Sequence, residues 1–362
     1  MMNPHRRNIM KKYIAVLILS AMLLGCLPAL ATTQKHRYEF FDTFDTIITV
    51  IGYHNSTEVF EKEAKEVHRL YQLYHKYFDI YNEYEDVLNL ASLNRLAAQS
   101  PQKVDAPLYD FLRYAKDLQE RYPSPVNIAM GNVLKVWHDF RDAALENPSA
   151  ATMPSLEELQ KAAEYTDIQS LRLNDAEKSV FFEQPIRLDA GALAKGYATE
   201  MAAQYLEKSE LSSFIISAGG NIRTGKQPLD GRAYWGVGIA DPQQPNNLYD
   251  TVYIRDSSMV TSGDYQRYYE VNGERLHHII DPASLYPAKL HRSVSIYTKN
   301  SAMADYLSTA LFILSYEDGL SLLQRVGSAE ALWISADGGS HSTPGFAVIQ
   351  KSQGADSKQN RE

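Results

Sequence analysis

Cysteine is almost missing from this chain: its 362 residues hold one, Cys26. A fold built downstream of it must stand without internal disulfides, and thiol redox chemistry, which needs a pair, is excluded. Long basic runs are missing too. Acidic residues outnumber basic ones, 44 to 36, which argues against nucleic acid as a partner. No P-loop, zinc-ligand spacing or Ser-His-Asp nucleophile elbow occurs. No internal repeat or low-complexity linker interrupts residues 37–350, which favours one intertwined α+β domain over two separable ones. What is present suits a packed interior: 44% of residues are hydrophobic and 24 are tyrosine, against the composition of a disordered chain.

The only long apolar run lies at the start. Arg6, Arg7, Lys11 and Lys12 precede YIAVLILSAMLLG, which ends at Cys26. A basic segment before a short apolar one reads as an export signal, too short for a comfortable membrane span. Leu23-Leu24-Gly25-Cys26 resembles a bacterial lipobox, which implies cleavage before Cys26 and lipid on that cysteine. The expected organisation is a signal peptide at 1–25, a tether at 26–36, one domain at 37–350 and a disordered tail at 351–362. The mature protein would sit outside the bacterial cell membrane, held by its lipid.

Along the domain, aromatic and β-branched residues at 38–53 predict a strand. Asn55 and Glu58 look like a helix start, and Phe60, Ala64, Val67, Tyr71, Tyr74 and Phe78 follow at helical spacing. Helices are expected at 106–121, within 125–140, at 155–166, at 192–207 and from 302 to about 314. Strands are expected at 171–182 (as a hairpin), 214–225, 234–239, through 251–263, at RLHHIIDP, at RSVSIYT, at LWIS and at FAVIQ.

Four segments carry residues suited to chemistry. LDAGALAKGYA sets Asp189, Gly191, Lys195 and Gly196 at a helix start. Unpaired N–H groups and partial positive charge there suit an anion, and Lys195 adds a full charge. The plainer alternative is an ordinary cap and turn. SAGGNIR has two glycines that let a backbone approach a ligand, with Arg223 able to face an anion, or it is simply a turn. TSGDYQRYYEVNGERLHHIIDP contains Asp264, His277, His278 and Asp281. A histidine oriented by a carboxylate can accept a proton, while the alternative is a strand with one histidine turned inward. ADYLSTA puts Asp305 and Thr309 one helical turn apart, two hard oxygen ligands suited to Mg²⁺, or else a solvated carboxylate and a back-bonded threonine.

Taken in order with FDTFDTIITV, NIAMGNVLKVW, WGVGIADP and ADYLSTALF, these segments resemble the ApbE family of FAD:protein FMN transferases over residues 38 to 348. The resemblance implies an α+β fold, a single intertwined T-fold-related domain with mixed β-sheets flanked by helices. It implies a Mg²⁺-dependent reaction that cleaves FAD, releases AMP and joins FMN to a threonine hydroxyl of an acceptor protein. Acceptors in the family are membrane redox-pump subunits and exported flavoproteins. Carried over residue by residue, the family's metal ligands fall on Ala192, Asp305 and Thr309. Its flavin contacts fall on Phe41, Tyr81, Asn127, Ile128, Ala129, Asp189, Lys195 and Ile280, and its catalytic histidine on His278. Two departures stand out: Asp42 replaces a usual glycine, and Leu285 replaces the glycine of the DPxTGxP loop. Two competing readings are an FAD pyrophosphatase, with water in place of the threonine, and a non-catalytic lipid-anchored flavin-binding protein.

Overall fold

The computed structural model of the chain describes residues 33–358. The expected signal peptide, Cys26 and most of the expected tether lie outside the described residues. Among the described residues no helix is long and apolar enough to cross a membrane.

The 38–53 run is not one strand. It folds back on itself as β1 (Gln34–Phe40) and β2 (Ile48–His54), joined by a 41–47 loop. Phe44 and Asp45 take positive φ in that loop, which extended backbone cannot accommodate. The run expected as a strand at 214–225 is likewise a hairpin. Its strands β6 (Phe214–Ala218) and β7 (Asn221–Thr224) meet at Gly219 and Gly220, with φ of 52° and 97°. An eight-stranded sheet then runs in the order β1, β2, β6, β7, β10 (Ser258–Gly263), β13 (His291–Thr298), β14 (Glu330–Ser335) and β15 (Ser340–Ser342). Every strand pairing in it is antiparallel.

Alternation along these strands decides what covers each face. Phe214, Ile216, Val260, Ala331 and Trp333 join the main core under three helices: α1 (Thr57–Phe78), α6 (Ala194–Glu207) and α7 (Ser301–Ile313). Their neighbours Ile215, Ile222, Met259 and Leu332 face a second core beneath the hairpin β8 (Trp235–Ala240) and β9 (Leu248–Ile254). The predicted tyrosine and phenylalanine stripe of α1 is buried as expected, although its cap is Ser56 rather than Asn55.

The main core extends to α2 (Leu90–Leu96), α3 (Ala106–Arg121) and the small sheet of β3 (Gln102–Lys103), β5 (Ser179–Phe182) and β4 (Leu171–Asn174). A third core joins α4 (Gly131–Glu146) and α5 (Leu156–Ala162) to the hairpin β11 (Tyr268–Val271) and β12 (Glu274–His277). After α8 (Tyr316–Val326), FAVIQ is not a strand: Pro344, two residues ahead of it, starts the short helix α9 (Pro344–Ala347). Residues 351–358, expected to be part of a free tail, dock instead. Ser352 Oγ donates to Asp250 at 2.6 Å, and the Ser357 carbonyl accepts from Ala233 N–H at 2.7 Å.

Candidate active site

The start of α6 lies against α7 because Gly196 has no side chain. A Cβ there would meet Asp305 Cβ at 2.4 Å and the Ser301 carbonyl at 2.5 Å. The close approach lets Gly196 N–H donate to Asp305 Oδ2 at 2.7 Å. Gly196 is the third residue of α6, where a helix amide has no carbonyl partner within the helix, so the buried Asp305 carboxylate satisfies it. Ala192 lies one residue ahead of the α6 cap Leu193 and is half-buried. Burial pushes the Asp305 carboxyl up, while the Lys195 charge and the Gly196 amide pull it down. Burial likewise pushes the Lys195 amine down against the pull of Asp305.

Thr309 is one turn along α7. Its hydroxyl lies 3.4 Å from Ser262 Oγ and is half-buried, with no back-bond to the helix. Among the described residues there is no group of three or more His, Cys, Asp or Glu side chains able to hold a metal. A cation here would draw on the Asp305 carboxylate, the Thr309 hydroxyl and a backbone carbonyl ahead of α6. That oxygen set suits Mg²⁺ sharing its shell with phosphate and water. Asn221, 1% exposed, turns its side chain to Asp305, and its hydrogen bond also draws the carboxyl down.

The two adjacent histidines go opposite ways, as alternation requires. His277 is buried edge-on against Phe312, with Nε2 2.8 Å from the Ala288 carbonyl. His278 is exposed, and its Nδ1 lies 3.2 Å from the Arg267 carbonyl. A carbonyl can only accept, so Nδ1 carries the proton and Nε2 keeps its lone pair. The residue keeps surface open to solvent, but protein crowds the ring and cations stand beside it. Desolvation, then Lys195 and Arg267, hold its pKa well below the ordinary imidazole range. Neither nearby carboxylate orients it. Asp264 binds Arg292 at 2.6 Å, and Asp281 accepts from Ala283 N–H within its own turn.

A second group gathers where 127–130 runs beside 187–189. Asp189 N–H donates to the Ile128 carbonyl at 2.8 Å, and Asn127 Oδ1 accepts from Ala129 N–H at 2.9 Å. Asn94 clamps both backbone groups of Leu188. Asp189 is 7% exposed, with Oδ1 on Gly191 N–H and Oδ2 without a partner. Tyr81 projects from the 79–84 loop, 63% exposed, with its hydroxyl 2.9 Å from His138 Nδ1. Ile280 is buried in the third core with Trp137 and Leu285.

Some expectations are corrected. Arg223 faces no anion site: it is buried and paired with Glu200 and Glu207. Phe41 stands in the 41–47 loop at 82% exposure, with its apolar ring uncovered. Asp42 is drawn off by His68 at 2.8 Å and Gln72 at 2.8 Å. Leu285 adopts the positive φ, 63°, that a glycine would take there. Asn94, His138 and Arg267 escaped the sequence reading. Arg267 and His138 flank quoted motif residues, but a lone asparagine in a helix carries no signal.

A model of the ApbE family matches residues 44–333. The FAD:protein FMN transferase of Treponema pallidum (strain Nichols) is 36% identical over 267 residues, covering 68% of this chain and 71% of that protein. The Klebsiella pneumoniae (strain 342) protein of the same name is 30% identical over 251 residues, covering 67% and 73%. In fold, the chain is similar to the ApbE protein of Thermotoga maritima MSB8, with a TM-score of 0.76 at 24% identity, covering 88% of this chain and 99% of that one. It is also similar to the apo flavinyl transferase ApbE of Pseudomonas stutzeri, with a TM-score of 0.73 at 22% identity, covering 89% and 98%.

Proposed function

The chain belongs to the ApbE family, and from that premise we propose how its site carries out flavin transfer. The enzyme takes FAD as donor and moves FMN to an acceptor protein. We assign the acceptor group to a threonine hydroxyl. Its oxygen forms a bond to the phosphorus of the FMN half, the bond from that phosphorus to the bridging oxygen breaks, and AMP leaves with that oxygen. The proton passes to His278 Nε2, whose lone pair is kept available because Nδ1 faces the Arg267 carbonyl. Lys195 stands where it can meet phosphate charge, and Asp189 Oδ2 awaits a donor from the substrate.

The observation that carries this reading is the close meeting of α6 and α7 at Gly196, which sets the buried Asp305 carboxylate on the first turn of α6 within reach of the Lys195 charge. Ala192, Asp305 and Thr309 would hold Mg²⁺, which when bound supplies neutralisation of phosphate charge. The leader that ends at Cys26 supports a lipid-anchored, extracytoplasmic enzyme acting on redox-pump subunits or exported flavoproteins. Mass spectrometry of the mature N-terminus tests that location, and an unmodified terminus beyond Cys26 excludes it.

The test of the chemistry is incubation with FAD, Mg²⁺ and a threonine-bearing acceptor, reading protein-bound flavin fluorescence and AMP together. We expect both signals from the wild type and neither in EDTA. In His278→Ala we expect transfer to fall by roughly 10²- to 10⁴-fold with FAD affinity kept. AMP without labelled protein, whatever the acceptor, would identify hydrolysis instead. Full transfer by His278→Ala would remove that histidine from the mechanism.

A further inference from the structure

The chain anchors Tyr81 at both ends. Asp79, itself buried, accepts Tyr81 N–H at 2.7 Å, Asn82 N–H at 3.0 Å and the Tyr84 hydroxyl at 2.8 Å. Arg187 donates to the Ile80 carbonyl at 3.1 Å. This loop is therefore rigid where it launches the ring. The far end of the ring meets α4, where the hydroxyl lies 2.9 Å from His138 Nδ1 and the two rings are 5.9 Å apart. An exposed tyrosine with a free hydroxyl would sample several rotamers. This one is held at its hydroxyl by His138, with Arg141 as a second partner, and it feels the charge of Asp189, whose buried Oδ2 has no partner.

We propose that His138 is a positioning residue for the donor site: through its Nδ1 it fixes the Tyr81 ring as a rigid flat wall for an aromatic ring of the FAD substrate. This rests on the reading of Tyr81 as a contact of FAD. The bond requires an unprotonated Nδ1 that accepts the tyrosine hydroxyl hydrogen. Surroundings keep it so: burial pushes the imidazole down, and Arg141 adds to this against the opposing pull of Asp189, Asp142 and Asp139. Pre-ordering a side chain lowers the entropic cost of binding without touching the reacting atoms. The consequence is an effect on affinity and not on turnover.

The experiment measures FAD affinity by flavin fluorescence quenching, and KM and kcat for transfer, in the full chain. His138→Ala should raise the Kd and KM for FAD by about 5- to 10-fold, the worth of one such hydrogen bond. The kcat should stay within about 2-fold, because the reacting atoms are untouched. Tyr81→Phe should show the same loss, and His138→Ala added to Tyr81→Phe should cost nothing more. His138→Asn should restore affinity, since its Oδ1 can stand where Nδ1 stood. Additive losses, failure of His138→Asn to restore affinity, or a fall in kcat at unchanged KM would each overturn the proposal. Tyr81→Ala separates the two readings. Unchanged FAD affinity in that variant removes Tyr81 from the donor site and the proposal with it. Weakened affinity there, with His138→Ala silent, removes only the role of His138.

Discussion

Leu285 shows how one residue can carry two opposing costs. Its φ of 63° is a left-handed conformation that costs a residue with a side chain roughly 1–2 kcal/mol. Its side chain is 9% exposed in the third core, and its carbonyl accepts from Trp137 Nε1 at 2.9 Å. Burial of a leucine contributes about 1.5–3 kcal/mol, so packing outweighs the strain. Leu285→Ala should then be the least stable variant, because it loses packing and keeps the strained backbone. Leu285→Gly should fall between it and the wild type, by about 1 kcal/mol in urea unfolding. A glycine variant less stable than the alanine one would refute the strain argument. The sequence showed that a glycine was missing from this loop but not what the leucine gained, since burial in a third core depends on α4, far away in the chain. The histidines were more legible: strand alternation alone separates His277 from His278. Their partners were not, because the orienting group is the backbone carbonyl of Arg267, and a carbonyl has no residue identity to read.

At the level of elements, the contact between α6 and α7 sets the site. Alanine is the better helix former by about 1 kcal/mol, so propensity alone favours Gly196→Ala. Packing reverses that, because the new methyl would overlap backbone and Cβ atoms that cannot rotate away. We expect Gly196→Ala to cost about 1–3 kcal/mol of stability and to abolish transfer, as the helices part and Asp305 leaves the amide. Gly273→Ala is the comparison: φ is 80°, but nothing lies within 4 Å, so only a modest loss with full transfer is expected. Wild-type transfer by Gly196→Ala would show that the close approach is incidental to the site. The α6 and α7 helices were legible to within two residues, since both carry unbroken apolar patterns. The 41–47 loop was hidden because its apolar Phe41 and Ile47 continue the pattern of the flanking strands while lying exposed. The α8 helix was missed despite its Ser315 cap and the left-handed Gly327 that ends it.

For the molecule as a whole, stability should fall on the acid side of neutrality. His277 and His291 are buried, and desolvation holds both below the ordinary 6.5. Below about 6.5 the unfolded chain takes up protons that the folded one refuses, so stability declines as pH falls toward the folded values. Asp305 acts in the opposite sense, since its raised pKa favours the folded state as it protonates, so the comparison is made in an Asp305→Asn background. Thermal unfolding from pH 7.5 to 5.5 should show a falling midpoint, and a flat profile would contradict the burial of these rings. The sheet order has a further consequence, in time rather than space. The inner edge of β2 finds its partner only in β6, about 160 residues later in the chain. At about 5–20 residues per second, a growing chain carries that apolar edge unpaired for roughly 8–30 s. Any helper that keeps the nascent protein from aggregating has the β1–β2 hairpin to shield until β6 emerges, after the start of α6 has been made and before α7 has.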